Sequence, residues 1–227
     1  MDKLTAVQSP AANRQTFSLC KHSLANPSLI MLVRELRSVF RDCSTVLDVG
    51  CGNWSPVRFL AGARLTGLDG YGPALEEARR NQTHDEYVSG DVTCISELFP
   101  SRKFDACIAL DVIEHLHKED GWRMMDEMER LANKRVVIFT PNGFVPQKSR
   151  DGDLQEHLSG WTSDEMRSRG YRVLGMYGPK QWRGEYHRIK YHPQPLWVLL
   201  SMLAHYVHTR SHPEKAAAIF CVKDLTS

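Results

Sequence analysis

The sequence predicts an α/β fold in which helices pack on a mostly parallel sheet of seven strands. Short apolar segments and helical segments alternate five times along the chain, which is typical of this fold class. Two further apolar segments complete the pattern. The length of 227 residues, 42% of them hydrophobic, suits a single domain with a substantial buried core.

The elements begin after a polar segment, residues 1–28, which is expected to form a tail or cap. Apolar residues at helical spacing predict a first helix over Ser28–Phe40. A short apolar run that ends in a glycine turn predicts the first strand, Thr45–Val49. Proline at a first helical turn favours a helix over Pro56–Ala63, and a second strand, Arg64–Leu68, follows.

The middle of the chain repeats this alternation. A helix is predicted over Pro73–Arg80 and a short third strand over Glu86–Ser89. A weak helix around Ile95–Phe99 leads into a fourth strand, Phe104–Leu110. Large apolar residues along one face predict a longer helix over Lys118–Ala132.

The last elements surround a long loop. A fifth strand, Arg135–Phe139, ends at a Thr-Pro-Asn-Gly turn, and the loop Phe144–Gly160 follows. Loops of this length are usually functional or mobile. A capping box that begins at Thr162 predicts a helix, which Gly170 ends. Two closing strands are predicted, Tyr171–Met176 and Ala216–Val222.

Composition and charge narrow the function classes. The charged fraction of 25% and the aromatic fraction of 9% are typical of folded proteins. A net charge of +2 is too small to favour nucleic acid or a membrane as the main partner. The six cysteines are scattered without a Cys-x-x-Cys pair, which favours reduced thiols. With no secretory signal and no membrane-spanning run, we expect a cytoplasmic protein.

The strongest local signal is the glycine turn after the first strand. Gly50 and Gly52 lie between a predicted strand and a predicted helix, where backbone N–H groups are open to a ligand. Asp69, at the end of the second strand, suits hydrogen bonding to the hydroxyls of a ribose. Together these features favour a nucleoside-binding site over a tight turn without a ligand.

The sequence of the turn distinguishes two cofactors. A dinucleotide site needs a third small residue that lets the helix pack closely, but Ser55 and Pro56 stand there. Asp48 would repel the phosphates of NAD, whereas it suits the ammonium and sulfonium of S-adenosylmethionine. S-adenosylmethionine is therefore favoured, and an NAD-linked oxidoreductase is the disfavoured alternative.

Five segments of the chain resemble the motifs of class I S-adenosylmethionine-dependent methyltransferases, in the order of that family. The segments are Val46–Leu60, Leu65–Asp69, Gly90–Val92, Leu110–His115 and Phe139–Gly143. The fourth segment, Leu-Asp-Val-Ile-Glu-His, resembles the branch that modifies small molecules and glycans. One departure is Trp54, which stands where the family usually has a third glycine.

The resemblance implies a Rossmann-like three-layer sandwich whose last strand is antiparallel. It also implies an enzyme that binds S-adenosylmethionine and methylates a small molecule or glycan-type metabolite on oxygen, or less favourably on nitrogen. A binding module without turnover is the alternative. The cofactor-binding residues expected are Asp48, Gly50, Cys51, Gly52, Asp69, Gly70, Asp91, Val92, Leu110 and Asp111.

Candidate residues for the acceptor lie at the predicted carboxyl ends of strands and in the loops. His157 and His115 are candidate general bases because imidazole titrates near neutral pH, and Asp111 could position either reactant. Spacing along the chain gives no metal site. The candidate substrate-binding residues are Asn142, Arg183 and Arg188.

The insertion at 177–215 interrupts the alternation and has two interpretations. Its basic, aromatic first part precedes nine residues, Leu196–Ala204, with one polar member. This helix either packs on the sheet beside a solvated loop or forms a lid over the acceptor, with weak interfacial contact as a further role. The expected partners are a small-molecule acceptor and no nucleic acid, in a monomer or homodimer.

Overall fold

The structure, a computed structural model, describes residues 26–147, 156–184 and 187–225. Most of the predicted tail and the middle of the predicted loop Phe144–Gly160 lie outside these ranges. The strands are β1 Thr45–Val49, β2 Arg64–Asp69, β3 Glu86–Ser89, β4 Phe104–Leu110, β5 Ala132–Pro141, β6 Arg172–Pro179 and β7 Ala216–Asp224.

The seven strands form one sheet in the order β3-β2-β1-β4-β5-β7-β6. Strands β1 to β5 are parallel to one another, whereas β7 runs antiparallel to both β5 and β6. Successive strands are added on one side of β1 up to β3 and on its other side from β4 onward, so the strand order reverses between β1 and β4. Open α/β sheets bind ligands at such a point, at the carboxyl ends of the strands. The fold class predicted from the sequence, including the antiparallel last strand, is confirmed.

Helices cover both faces of the sheet and bury a separate core on each. On one face the buried Met124, Met125 and Met128 of one helix pack on the sheet. On the other face Leu32 and Leu36 of the first helix do so. The helices are α1 Pro27–Val39, α2 Gly72–Arg80, α3 Ile95–Leu98, α4 Lys118–Leu131, α5 Ser163–Ser168 and α6 Gln194–Ala204.

The helix predicted over Pro56–Ala63 is wrong. Only one 3₁₀ turn forms there, Pro56–Phe59, capped by the Ser55 hydroxyl, which accepts from the Val57 N–H at 3.4 Å. Leu60 follows in an extended conformation, with φ −77° and ψ 108°, which ends the turn after four residues.

The described part of the insertion between β6 and β7 includes a 3₁₀ turn Lys180–Trp182, helix α6, a π-turn His205–Thr209 and a 3₁₀ turn Pro213–Lys215. Ser201 of α6 is buried and Met202 packs against the core, while leucines on the opposite side of α6 are exposed. In the part of the chain that the structure describes, no helix combines the length and apolarity needed to cross a bilayer.

Candidate functional site

The glycine turn lies where the carboxyl ends of β1, β2 and β4 meet. The N–H groups of Gly50 and Cys51 both donate to the Leu68 carbonyl, at 2.7 and 3.0 Å, which fixes the turn against β2. Gly50 has φ +71°, and a Cβ there would lie 2.5 Å from Val112 Cγ2, so glycine is required. A Cβ at Gly52 would meet no atom within 4 Å, so the backbone of Gly52 borders open space.

A cavity of about 810 Å³, here called the glycine-turn cavity, opens above this turn. Its volume falls in the range of small-molecule sites, roughly 300–1,000 Å³. Its walls include residues of α1 and the insertion residues Arg183, His187 and Arg188. Six of the predicted cofactor-binding residues line it: Asp48, Gly50, Cys51, Gly52, Leu110 and Asp111.

Asp48 has a partner that the sequence analysis missed. Its carboxylate is buried, and Oδ2 lies 3.0 Å from Nε2 of the buried His84. The other ring nitrogen of His84 lies 2.9 Å from the Thr83 hydroxyl. The contact with His84 therefore fixes the position of the carboxylate, and Asp48 also lines the glycine-turn cavity. No pattern along the chain relates Asp48 to His84.

Four predicted cofactor residues, Asp69, Gly70, Asp91 and Val92, do not line either of the two cavities described here. Asp69 accepts from the Gly52 N–H at 2.7 Å and from the Tyr71 N–H at 2.8 Å, so it also fixes the glycine turn. Asp91 accepts from the backbone and hydroxyl of Thr93, both at 2.8 Å. They stand at the ends of β2 and β3, beside the glycine turn.

A second cavity of about 650 Å³, here called the histidine cavity, lies next to the first. The candidate bases His115 and His157 line it together with Glu114. Lys180 and Lys190 contribute cationic side chains to its wall. Glu114 is not among the candidate site residues predicted from the sequence.

The segment 157–161 reaches this cavity because it packs on the turn after β4. The N–H groups of Leu158 and Ser159 donate to the Glu114 carbonyl at 2.8 and 3.0 Å. The fully buried Trp161 donates from Nε1 to the Ile113 carbonyl at 3.0 Å. These bonds bring His157 beside His115, with ring centroids 4.8 Å apart.

The electrostatics of this cluster are set by burial. Glu114 is 2% exposed, and desolvation together with the neighbouring Asp111 raises the pKa of its carboxyl well above the usual value. Burial also lowers the pKa of His157. At neutral pH the imidazole is therefore neutral and can accept a proton or bind a cation. Glu114, His115 and His157 could together hold a metal ion, which spacing along the chain does not reveal.

Asp111 joins the two cavities. It follows β4 with φ +52°, a left-handed conformation that is uncommon outside glycine and is frequent at functional sites. Its carboxylate lies 3.6 Å from Nε2 of His187. Asp111, His187 and Arg183 line both cavities, so a ligand in each would meet there.

Two of the three predicted substrate-binding residues, Asn142 and Arg183, are buried. Asn142 is buried, and its amide donates to the carbonyls of Pro213, Glu214 and Ala216 at 2.8, 3.2 and 2.9 Å. It thereby fixes the start of β7 and lines neither cavity, so its amide has a structural role.

Arg183 is buried too, although it lines both cavities. Its guanidinium donates to the carbonyls of Tyr177 and His187, both at 2.5 Å, and to the Ser201 hydroxyl at 3.2 Å. Burial lowers its pKa to about 10. Arg183 thus ties the insertion to β6, whereas Arg188 is exposed at the glycine-turn cavity.

Comparisons with known proteins agree with this geometry. Residues 47–140 match a family model described as a methyltransferase domain. Over 115 residues the chain is 31% identical to sterol 24-C-methyltransferase ERG6A of Gibberella zeae. The match covers 44% of this chain and 30% of that protein. The chain thus spans about a third of the length of this curated relative.

Solved structures of low sequence identity share the fold. A SAM-dependent methyltransferase from Archaeoglobus fulgidus superposes with a TM-score of 0.56 at 14% identity, over 91% of this chain and 98% of that one. The methyltransferase domain of bacterial CtHen1 superposes with a TM-score of 0.54 at 18% identity, over 87% of this chain and 97% of that one.

The fold and the glycine turn agree with the resemblance to class I methyltransferases. Residues 47–140 are a methyltransferase domain by their match to the family model, and the resemblance found in the sequence is confirmed.

Proposed function

We propose that the chain transfers a methyl group from S-adenosylmethionine to an oxygen of a small molecule or glycan-type metabolite. The observation that carries this proposal is the pair of cavities that share Asp111. One lies over the glycine turn, and the other is lined by two imidazoles. Bringing two reactants together in line can account for about 7–11 kcal/mol of the activation barrier.

In this proposal the glycine-turn cavity holds the methionine part of the cofactor. Gly50 and Gly52 allow close approach, and the anchored carboxylate of Asp48 faces its positive charge. Asp69 binds the ribose hydroxyls through lone pairs that it does not use for the turn, and Asp91 with Val92 borders the adenine. Asp111, which lines both cavities, would then lie between the cofactor and the acceptor.

The acceptor occupies the histidine cavity. S-adenosylmethionine, when bound over the glycine turn, would supply the electrophilic methyl group to the acceptor oxygen and would be left as a neutral thioether. The hydroxyl proton passes to His157 or His115, a step that contributes about 10²–10⁴-fold where it limits the rate. Lys180 and Lys190 favour an acceptor that carries an anionic group near the reacting hydroxyl.

A labelling experiment tests the proposal. The protein is incubated with S-adenosylmethionine carrying a ¹³C methyl group and with a small-molecule extract, and products are sought by mass spectrometry. The chemical shift of the labelled carbon distinguishes an O-methyl product from an N-methyl product. We expect a labelled O-methyl product.

Variants separate catalysis from binding. His157→Gln is expected to lower kcat by about 100-fold or more while the Kd for the cofactor is unchanged. His117→Gln is the matched control, because His117 is exposed and lies two residues after His115. Cofactor binding without any labelled product would instead favour a binding module, and full kcat in both His115→Gln and His157→Gln would remove the imidazoles from the mechanism.

A further inference from the structure

The strongest unexplained cluster in the described residues is formed by Glu114, His115 and His157. One potential ligand atom from each lies within 4.8 Å of the others. The cluster joins the turn after β4 to the segment at 157–161, so it is assembled by the fold. Small side-chain movements would bring the three atoms to the distances of a common metal ion, about 2.0–2.2 Å from it.

Both imidazoles are oriented as they are in metal sites. Nδ1 of His157 lies 2.6 Å from the Val145 carbonyl, and Nδ1 of His115 lies 3.1 Å from the Glu156 carbonyl. A carbonyl only accepts, so each Nδ1 carries the proton and each Nε2 keeps a free lone pair. Metal-binding histidines usually donate their other N–H to a carbonyl or carboxylate in this way.

Glu114 supplies an independent observation. Oε2 accepts from the Thr140 hydroxyl at 3.0 Å, whereas the buried Oε1 has no hydrogen-bond partner among the described residues. A buried carboxylate oxygen without a partner costs free energy. A divalent cation bound at Oε1 would supply the missing partner.

We propose that Glu114, His115 and His157 bind one divalent transition-metal ion at the wall of the histidine cavity. Two imidazoles and one carboxylate suit Zn²⁺, Mn²⁺, Fe²⁺ or Co²⁺, and no cysteine is among these three ligands. Three protein ligands leave coordination positions for a ligand in the cavity. A hydroxyl bound there would lose its proton more readily. The imidazoles would then be ligands and not bases, so the metal replaces the proton transfer to histidine proposed above.

The test is metal binding by the purified chain, without cofactor or acceptor. Co²⁺ is titrated and followed by its visible absorption, and Zn²⁺ is titrated by calorimetry. The surface pair His208 and His212, with stacked rings 4.3 Å apart, could bind these ions independently. All measurements therefore use a His212→Gln background.

We expect one Co²⁺ or Zn²⁺ per chain. Glu114→Gln and His157→Gln should each weaken binding by about tenfold or more, whereas the matched control His117→Gln should bind as the background does. Because Glu114 is buried, the folding of the Glu114→Gln variant is checked by circular dichroism. If that variant unfolds, His115→Gln is used instead, since His115 is only half-buried.

Two results would overturn the proposal: absence of binding in the background, or an unchanged cobalt spectrum in the folded variants. The outcome decides whether an imidazole or a bound metal ion activates the acceptor hydroxyl, and methyl transfer itself is tested separately. A chain that binds S-adenosylmethionine but no Co²⁺ contradicts only the metal site, and a chain that binds Co²⁺ but no cofactor contradicts only the methyltransferase proposal.

Discussion

Arg183→Lys is a sharp test of how the insertion is held over the two cavities. Lysine keeps the charge, so the cost of burying a cation remains. It loses the planar fork that reaches Tyr177, His187 and Ser201 together. An ammonium at this position can keep one of the three hydrogen bonds. With about 1–1.5 kcal/mol for each of the two lost, the free energy of unfolding should fall by about 2–3 kcal/mol.

The assay is urea unfolding followed by circular dichroism, at one protein concentration and in one buffer. Arg188→Lys is the control, because Arg188 is exposed on the same segment, and its effect should stay below about 1 kcal/mol. If Arg183 were instead a clamp for an anionic substrate, Arg183→Lys would leave stability unchanged and raise only the KM of the acceptor. That result would refute the structural role.

Two further predictions concern stability. Burial lowers the pKa of His205 from 6.5 to about 4, so below pH 6.5 the unfolded chain binds a proton that the folded chain does not. Stability should therefore fall by about 2 kcal/mol between pH 7 and pH 5 through this group, and urea titrations of His205→Gln should show that much less loss. Asn142→Ala should lower the free energy of unfolding by about 1–3 kcal/mol while the folded protein keeps its affinity for S-adenosylmethionine; unchanged stability would contradict the role of Asn142 at the start of β7.

Most of the sheet could be predicted from the sequence because the signals for its strands lie in adjacent residues. Each apolar run that became a strand lies between turn residues, and the capping box at Thr162 forms as expected, with the Thr162 hydroxyl accepting from the Glu165 N–H at 3.3 Å. The exception is Pro56–Ala63, where the proline signal is local but marks only the start of a turn. The extended conformation of Leu60 ends that turn after four residues, and no residue type in the segment indicates it.

The site was predictable in its backbone part and less so in its side chains. Gly50 and Gly52 could be found because their conformation and spacing are encoded in adjacent residues. The pairing of Asp48 with His84 and the meeting of His115 with His157 depend on contacts between distant segments. Arg183 and Asn142 were assigned to substrate because their partners, backbone carbonyls, carry no signature in a sequence.

The central claim is that the glycine-turn cavity binds S-adenosylmethionine, and calorimetry tests it most directly. The protein is titrated with S-adenosylmethionine and, separately, with NAD. We expect one S-adenosylmethionine per chain and no binding of NAD. Asp69→Ala should weaken binding of the cofactor by about 1–3 kcal/mol. It removes the hydrogen bonds to the ribose hydroxyls and the hydrogen bond from the Gly52 N–H. Binding of NAD without S-adenosylmethionine, or an unchanged affinity in Asp69→Ala, would contradict the account.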